Sequence, residues 1–225
     1  MSGRLLSRGQ SAAGPRRARP EKRHAGLQGH ARAAGGRAVI CGLVLAGGQS
    51  RRFGSEKAVA RLGDQTLLER ALGALRPNCA ALAVSAAAGS GAEALAQGLN
   101  IVVLADDPAH PDGPLAGLAA GLRWASGLGA THLATLPCDT PHAPPDMVAR
   151  LIAAGGEAFA AFVETAEGPY PLCALWSIDL LASLESELAR GHPAVRTFLG
   201  DVGAVAVRFE DGATFANINA KADLP

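Results

Sequence analysis

Four short apolar runs, residues 39–46, 81–85, 100–105 and 131–136, recur along this chain, with helix-like stretches between or after them at roughly 65–76, 92–98, 114–126 and 144–153. The runs have the length of strands, and the stretches between them have helical periodicity. Strands alternating with helices mean βαβ units, and such units build a mostly parallel sheet covered by helices. The predicted class is therefore α/β. Pro77 stops the first helix, and Pro144-Pro145 suits the first turn of the fourth. In such a sheet, ligands bind beyond the carboxyl ends of the strands, near the point where strand order reverses. Loop 47–57 holds that position after the first run, Asp106-Asp107 after the third and Cys138-Asp139 after the fourth. The remainder predicts strands at 157–163 and 170–176, joined by a loop containing Gly168-Pro169. It also predicts a helix over 178–189 that ends at Gly191, and a strand over 203–209. The closing Phe215-Ala216-Asn217-Ile218-Asn219 alternates apolar and polar residues, and no internal repeat is visible.

Length and charge narrow the function. The 225 residues, 48 % apolar and 18 % charged, suffice for one domain with a full core. No apolar run approaches the ~20 residues that span a bilayer. The formal net charge of +1 conceals an asymmetry. Residues 1–38 hold nine Lys or Arg and one acid, Glu21, for a net of +8; residues 39–225 hold 12 basic and 19 acidic residues, for a net of −7. An acidic folded part disfavours a nucleic-acid binder. The basic stretch lacks a periodic apolar face and reads as disordered. It is a transit peptide, a flexible basic tail, or a segment upstream of a working start at Val39, where a GUG codon would encode valine; the last is favoured here. The expected organisation is this extension at 1–38 and one domain over 39–225. Cys41, Cys79, Cys138 and Cys173 are scattered without metal-ligand spacing, and no secretory signal precedes them. Reduced thiols in a cytoplasmic protein are the expectation, with Cys138 a packing residue.

The loop after the first run reads Leu45-Ala46-Gly47-Gly48-Gln49-Ser50-Arg51-Arg52-Phe53-Gly54-Ser55-Glu56-Lys57. Glycine lets main-chain N–H groups approach phosphate oxygens, and Arg51, Arg52 and Lys57 add positive charge. The spacing fits neither the Gly-Lys-Ser/Thr phosphate loop nor the dinucleotide fingerprint Gly-x-Gly-x-x-Gly. Asp139 ends the fourth strand in Leu136-Pro137-Cys138-Asp139-Thr140-Pro141. A carboxylate there suits Mg²⁺, which takes one or two carboxylates and otherwise water and phosphate oxygens. A turn or helix-capping aspartate fits that position equally well. Gly113-Pro114-Leu115-Ala116-Gly117 opens the third helix, and small residues there admit close approach to the sheet or to a ligand.

The loop resembles the Leu-Ala-Gly-Gly-x-Ser-x-Arg-Met-Gly-x-Asp-Lys signature of the molybdenum cofactor guanylyltransferases, with Phe53 for Met and Glu56 for Asp. The resemblance covers essentially all of 39–225, through Cys138-Asp139-Thr140-Pro141, Gly113–Gly117 and the closing Asn217-Ile218-Asn219 with Asp223-Leu224. It implies a three-layer, Rossmann-like nucleotidyltransferase fold. It also implies transfer of GMP from GTP to molybdopterin or its molybdenum form, with release of pyrophosphate. Leu45, Ala46, Gly47, Gly48 and Lys57 would then hold the nucleotide, Asp106 its guanosine part, and Asn217 and Asn219 the molybdopterin side. Asp139 would be the Mg²⁺ ligand, with Arg52 and Lys57 beside it in catalysis and Arg51 able to share that work. Family members often carry an Asn after the second strand where this chain has Ser85. His110 and His142 read as surface residues.

The expected partners are GTP, molybdopterin, and proteins that deliver the cofactor or mature molybdoenzymes. Neither nucleic acid nor membrane is expected, and the protein reads as a monomer. A cytidylyltransferase for the same acceptor is the nearest rival, although its loop more often reads Ala-Ala-Gly. A sugar-phosphate nucleotidyltransferase is usually longer. A non-catalytic nucleotide-binding regulator would not need Asp139 and Lys57. Because residues 1–38 cannot bury enough surface to offset their ordering entropy, their deletion is expected to leave turnover and melting temperature nearly unchanged at physiological ionic strength. A large loss of either, measured against the full-length protein, would show that the segment belongs to the folded enzyme.

Overall fold

The computed structural model describes residues 38–47, 56–105, 113–155, 157–191, 193–220 and 223. In chain order these form β1 (Ile40–Leu45), the small hairpin β2 (Arg61–Leu62) and β3 (Gln65–Thr66), α1 (Leu67–Leu75), β4 (Ala81–Ser85), α2 (Gly91–Gly98) and β5 (Val102–Leu104). There follow α3 (Pro114–Gly127), β6 (His132–Pro137), α4 (Met147–Gly155), β7 (Ala160–Thr165), β8 (Gly168–Ser177), α5 (Leu181–Arg190), α6 (Val195–Asp201) and β9 (Val205–Arg208).

Seven strands form one sheet in the order β5-β4-β1-β6-β8-β7-β9. Parallel pairing joins β5, β4, β1 and β6, and β7 pairs parallel with β9; β8 runs antiparallel to both β6 and β7. Helices α1, α2 and α4 bury their apolar residues in one cluster with the sheet, and α3, α5 and α6 bury theirs in another. The three-layer, mostly parallel arrangement anticipated from the alternating pattern is the one observed.

Local signals explain the elements. Thr66 caps α1: its hydroxyl accepts from the Glu69 N–H at 3.2 Å, while the Glu69 carboxylate accepts from the Thr66 N–H at 2.7 Å. This reciprocal box satisfies two main-chain donors of the first turn. Leu67, Leu68, Ala71, Leu72 and Leu75 then fall on one buried face. Pro77 ends the run in a 3₁₀ turn, Arg76–Asn78. In α3 the glycines face inward. A Cβ on Gly121 would lie 2.5 Å from Leu43 Cδ2 and 2.8 Å from Leu133 Cδ2, and one on Gly117 would lie 2.7 Å from Ser85 Oγ. Absence of those carbons is what lets α3 lie against β1, β4 and β6. Within Gly113–Gly117, Gly117 therefore serves packing.

Several expectations change. Gln65 and Thr66 belong to β3, so the first helix starts later than predicted. Pro144 and Pro145 stand in the turn before α4 and not in its first turn; the Met147 N–H donates to the Pro144 carbonyl. Gly168-Pro169 lies within β8, paired with Thr165 and Glu164. Helix α6 was not anticipated, because its seven residues bury only Phe198 and Leu199. Tertiary contact holds it: Phe198 stacks on Trp176 with ring centroids 6.3 Å apart. Trp176 is fully buried, and its indole N–H donates to Thr135 Oγ1 at 2.9 Å.

The Asn-Ile-Asn segment is not a strand. It follows a 3₁₀ turn, Gly212–Phe215, and pairs with no strand of the sheet. Its Ile218 N–H donates instead to the Asp139 carbonyl at 2.8 Å. Alternation persists nonetheless, with Ile218 buried against Leu62 and Leu67 and both asparagines exposed.

Gly121→Ala separates packing from helix propensity. On an open helix face alanine would gain about 1 kcal/mol. Here overpacking should cost about 1–3 kcal/mol instead, read as a lower urea midpoint. A stabilised variant would contradict the close seating of α3.

Candidate active site

The four inner residues of β6, Leu133–Leu136, are fully buried. The strand thus ends in a fixed place, and Cys138 extends its contact with β1 by donating its N–H to the Leu45 carbonyl at 3.0 Å. Asp139 follows, beyond the carboxyl end of the strand. Lys57 arrives from the 3₁₀ turn Lys57–Val59, whose Ala58 is buried in the core. Its ammonium lies 3.1 Å from Asp139 Oδ2 and donates to Asn219 Oδ1 at 3.3 Å. The Lys57 and Asp139 side chains are 16 % and 22 % exposed, so the pair is shielded but reachable by a ligand.

The two asparagines are held from several sides. Thr140, itself buried, donates its hydroxyl to Asn217 Oδ1 at 3.1 Å. Asn219 Nδ2 donates to the Asn217 carbonyl at 3.4 Å. The Asp223 carboxylate accepts from the main-chain N–H groups of Ala220 at 2.8 Å and Asn219 at 2.7 Å. These bonds hold its carboxyl below the usual range, with the Ala220 contact the larger cause. Upstream, Phe215 is fully buried, 5.0 Å from the Phe209 ring centroid and 5.6 Å from that of Tyr170.

The structure therefore brings together Asp139, Lys57, Asn217 and Asn219. Leu45 ends β1 beside them in register with Pro137, and the Ala46 N–H donates to the Ser85 carbonyl at 2.9 Å. At Gly47 a Cβ would meet no described atom within 4 Å. Gly48, Arg51, Arg52 and Asp106 lie outside the described residues, as does His110. His142 is exposed, as expected of a surface histidine. Ser85 is buried beneath Gly117 of α3. Burial pushes the thiols of Cys138 and Cys173 up to about 12, with the negative charge of Asp139 acting in the same direction. Such thiols stay protonated and serve packing.

Sequence reasoning passed over three supporting residues. Thr140 and Asp223 stood inside quoted motifs without a role. Glu56 was noted only as a departure from aspartate, yet its carboxylate accepts from the N–H groups of Gly91 at 2.6 Å and Ala92 at 2.7 Å. An acid directly before the key lysine was the available signal.

A cation, a carboxylate and two amides gathered beyond the ends of β1 and β6 suit a phosphate-bearing ligand. Comparison with known proteins agrees. The model of the MobA-like NTP transferase domain matches residues 42–205. A molybdenum cofactor guanylyltransferase of Cereibacter sphaeroides is 41 % identical over 186 residues, which cover 82 % of this chain and 93 % of that one. One from Rhodobacter capsulatus is 38 % identical over 187 residues, with the same coverage. Among solved structures, the molybdopterin-guanine dinucleotide biosynthesis protein A of Archaeoglobus fulgidus superposes with a TM-score of 0.67 at 24 % identity, over 82 % of this chain and 94 % of that one. A 4-diphosphocytidyl-2C-methyl-D-erythritol synthase shares the fold at a TM-score of 0.63 and 15 % identity, over 84 % and 96 %. By sequence over most of its length and by the architecture of its sheet, this chain belongs to the family of MobA-like nucleotidyltransferases.

Proposed function

We propose that this protein transfers GMP from GTP to the terminal phosphate of molybdopterin, or of its molybdenum form, releasing pyrophosphate and yielding the guanine dinucleotide cofactor. The observation that carries this reading is the junction of Lys57, Asp139 and Asn219 at the crevice beyond β6. Residues 39–225 are the catalytic domain on this reading.

The reaction sets an acceptor phosphate oxygen against the α-phosphorus of GTP. A new P–O bond forms there as the bond to the β-phosphate breaks. The acceptor is already an anion, so no strong general base is required. The task is to bring two anions together and offset their repulsion. Lys57 supplies positive charge to the triphosphate and the leaving pyrophosphate, and Asn219 helps to fix its ammonium. Arg52 is assigned the same duty from the loop signature. Asn217, its amide oxygen taken by Thr140, presents its N–H₂ group as a donor; we assign both asparagines to the molybdopterin side and Asp106 to guanosine.

Mg²⁺ fits Asp139. The carboxylate is a hard oxygen donor, partly exposed at a strand end. Among the described residues no three His, Cys, Asp or Glu gather as a complete metal cage, and Mg²⁺ characteristically uses one or two carboxylates and completes its shell with phosphate oxygens and water. Bound there, the ion would neutralise charge on phosphate oxygens at the reacting centre.

Asp139→Asn keeps the shape and removes the charge. Loss of about 3 kcal/mol of transition-state stabilisation should slow transfer about 100-fold, with the protein still folded. Near-normal turnover at saturating Mg²⁺, measured as pyrophosphate release dependent on both GTP and molybdopterin, would remove Asp139 from the metal site. Turnover with CTP in place of GTP would instead favour the cytidylyl reading.

Lys57→Ala should weaken binding of a non-hydrolysable GTP analogue, since a charge-assisted phosphate contact contributes about 1.5–3 kcal/mol. Titration calorimetry showing unchanged affinity, together with unchanged turnover, would place the triphosphate elsewhere.

A further inference from the structure

Glu56 stands next to Lys57 but makes its contacts with a different element. Its backbone is extended, with φ −69° and ψ 120°. Glu56 is the residue before the 3₁₀ turn that carries Lys57. The Lys57 ammonium reaches Asp139 and Asn219, while the Glu56 carboxylate reaches the first turn of α2. There its two oxygens each take one main-chain N–H: Oε2 from Gly91 at 2.6 Å and Oε1 from Ala92 at 2.7 Å. Ser90 Oγ accepts the next open donor, the Glu93 N–H, at 3.1 Å. Three N–H groups that the helix itself cannot satisfy are thus paired. Two of those bonds are charge-assisted and lie at the positive end of the helix dipole.

Contact at this joint is close. A Cβ on Gly91 would lie 2.9 Å from Glu56 Oε2 and 3.0 Å from Val59 Cγ1, so glycine is what admits the carboxylate. Helix α2 is fixed to the sheet in turn, with Ala92 and Ala96 fully buried. The turn bearing Lys57 is therefore bolted on one side to a rigid element. The lysine stem starts from a set position and spans to Asp139, 82 residues away in sequence.

From this geometry we infer that Glu56 is a positioning residue for transfer: by clamping the N-terminus of α2 it fixes the start of the Lys57 side chain, so that the ammonium meets the triphosphate and Asp139 together. The inference rests on the functional reading above, and it adds a residue that touches no reactant.

A double-mutant cycle decides it. Glu56→Ala in the otherwise native enzyme should lower kcat/KM for GTP by up to about 100-fold, the effect of misplacing a reacting group by about 1 Å. Glu56→Gln, which keeps the shape and one acceptor oxygen, should lose less. In a Lys57→Ala background the same changes should alter kcat/KM by less than about twofold. Any fall in melting temperature should be equal in both backgrounds. Equal fold-losses of kcat/KM with and without Lys57, or a Glu56→Ala enzyme with native kcat/KM, would overturn the inference. If Glu56→Ala does not fold, the Gln cycle gives the same reading. Native protein that binds a GTP analogue but transfers nothing to molybdopterin would sink the functional reading and leave only the placement of Lys57 against the triphosphate to be decided. The same cycle, read by calorimetry as affinity for that analogue, would then test it.

Discussion

Strand β1 has a parallel neighbour on each side, β4 and β6, and this placement governs the rest of the molecule. The chain leaves β1, winds over one face through α1 to β4, and returns across the other face through α3 to β6. The segments that follow the carboxyl ends of β1 and β6 meet there, because the two strands are parallel neighbours. That meeting place follows from strand order. What makes it chemically useful is that the loops leaving those two strands carry the charged groups.

Inside the crevice, opposite charges hold one another in place. Lys57 and Asp139 are each costly to shield from water alone, and together they offset that cost. Neighbouring side chains set the geometry around the pair. Thr140 orients one amide, Asp223 fixes the main chain of the other, and Ile218 ties their segment to the turn after β6. The site is a small set of polar contacts inside a frame of larger apolar ones.

The frame was legible because burial leaves a periodic trace. Apolar runs of strand length, capping residues such as Thr66 and breakers such as Pro77 mark β1, β4, β6 and α1 without reference to the rest of the chain. Helix α6 left no such trace, since its place is set by Trp176 on a distant strand. The asparagine segment alternates as a strand does, but its N–H at Ile218 finds a loop carbonyl in place of a sheet neighbour, a choice that local sequence does not encode. Asp139 and Lys57 were legible as charged residues in the segments that follow β6 and β1. Glu56 was not, because its partners are main-chain N–H groups, which every residue but proline carries.

The Lys57 ammonium joins Asn219 across 162 residues and Asp139 across 82. Contacts of such long range carry an entropic cost, because the intervening chain must be gathered to make them. On a ribosome, Lys57 is made well before its asparagine partner. A growing chain can therefore assemble much of the sheet while the crevice still lacks one wall. The packing of Phe215 against Phe209 and Tyr170 brings the asparagine segment to Lys57, so that wall of the site depends on residues that follow β9.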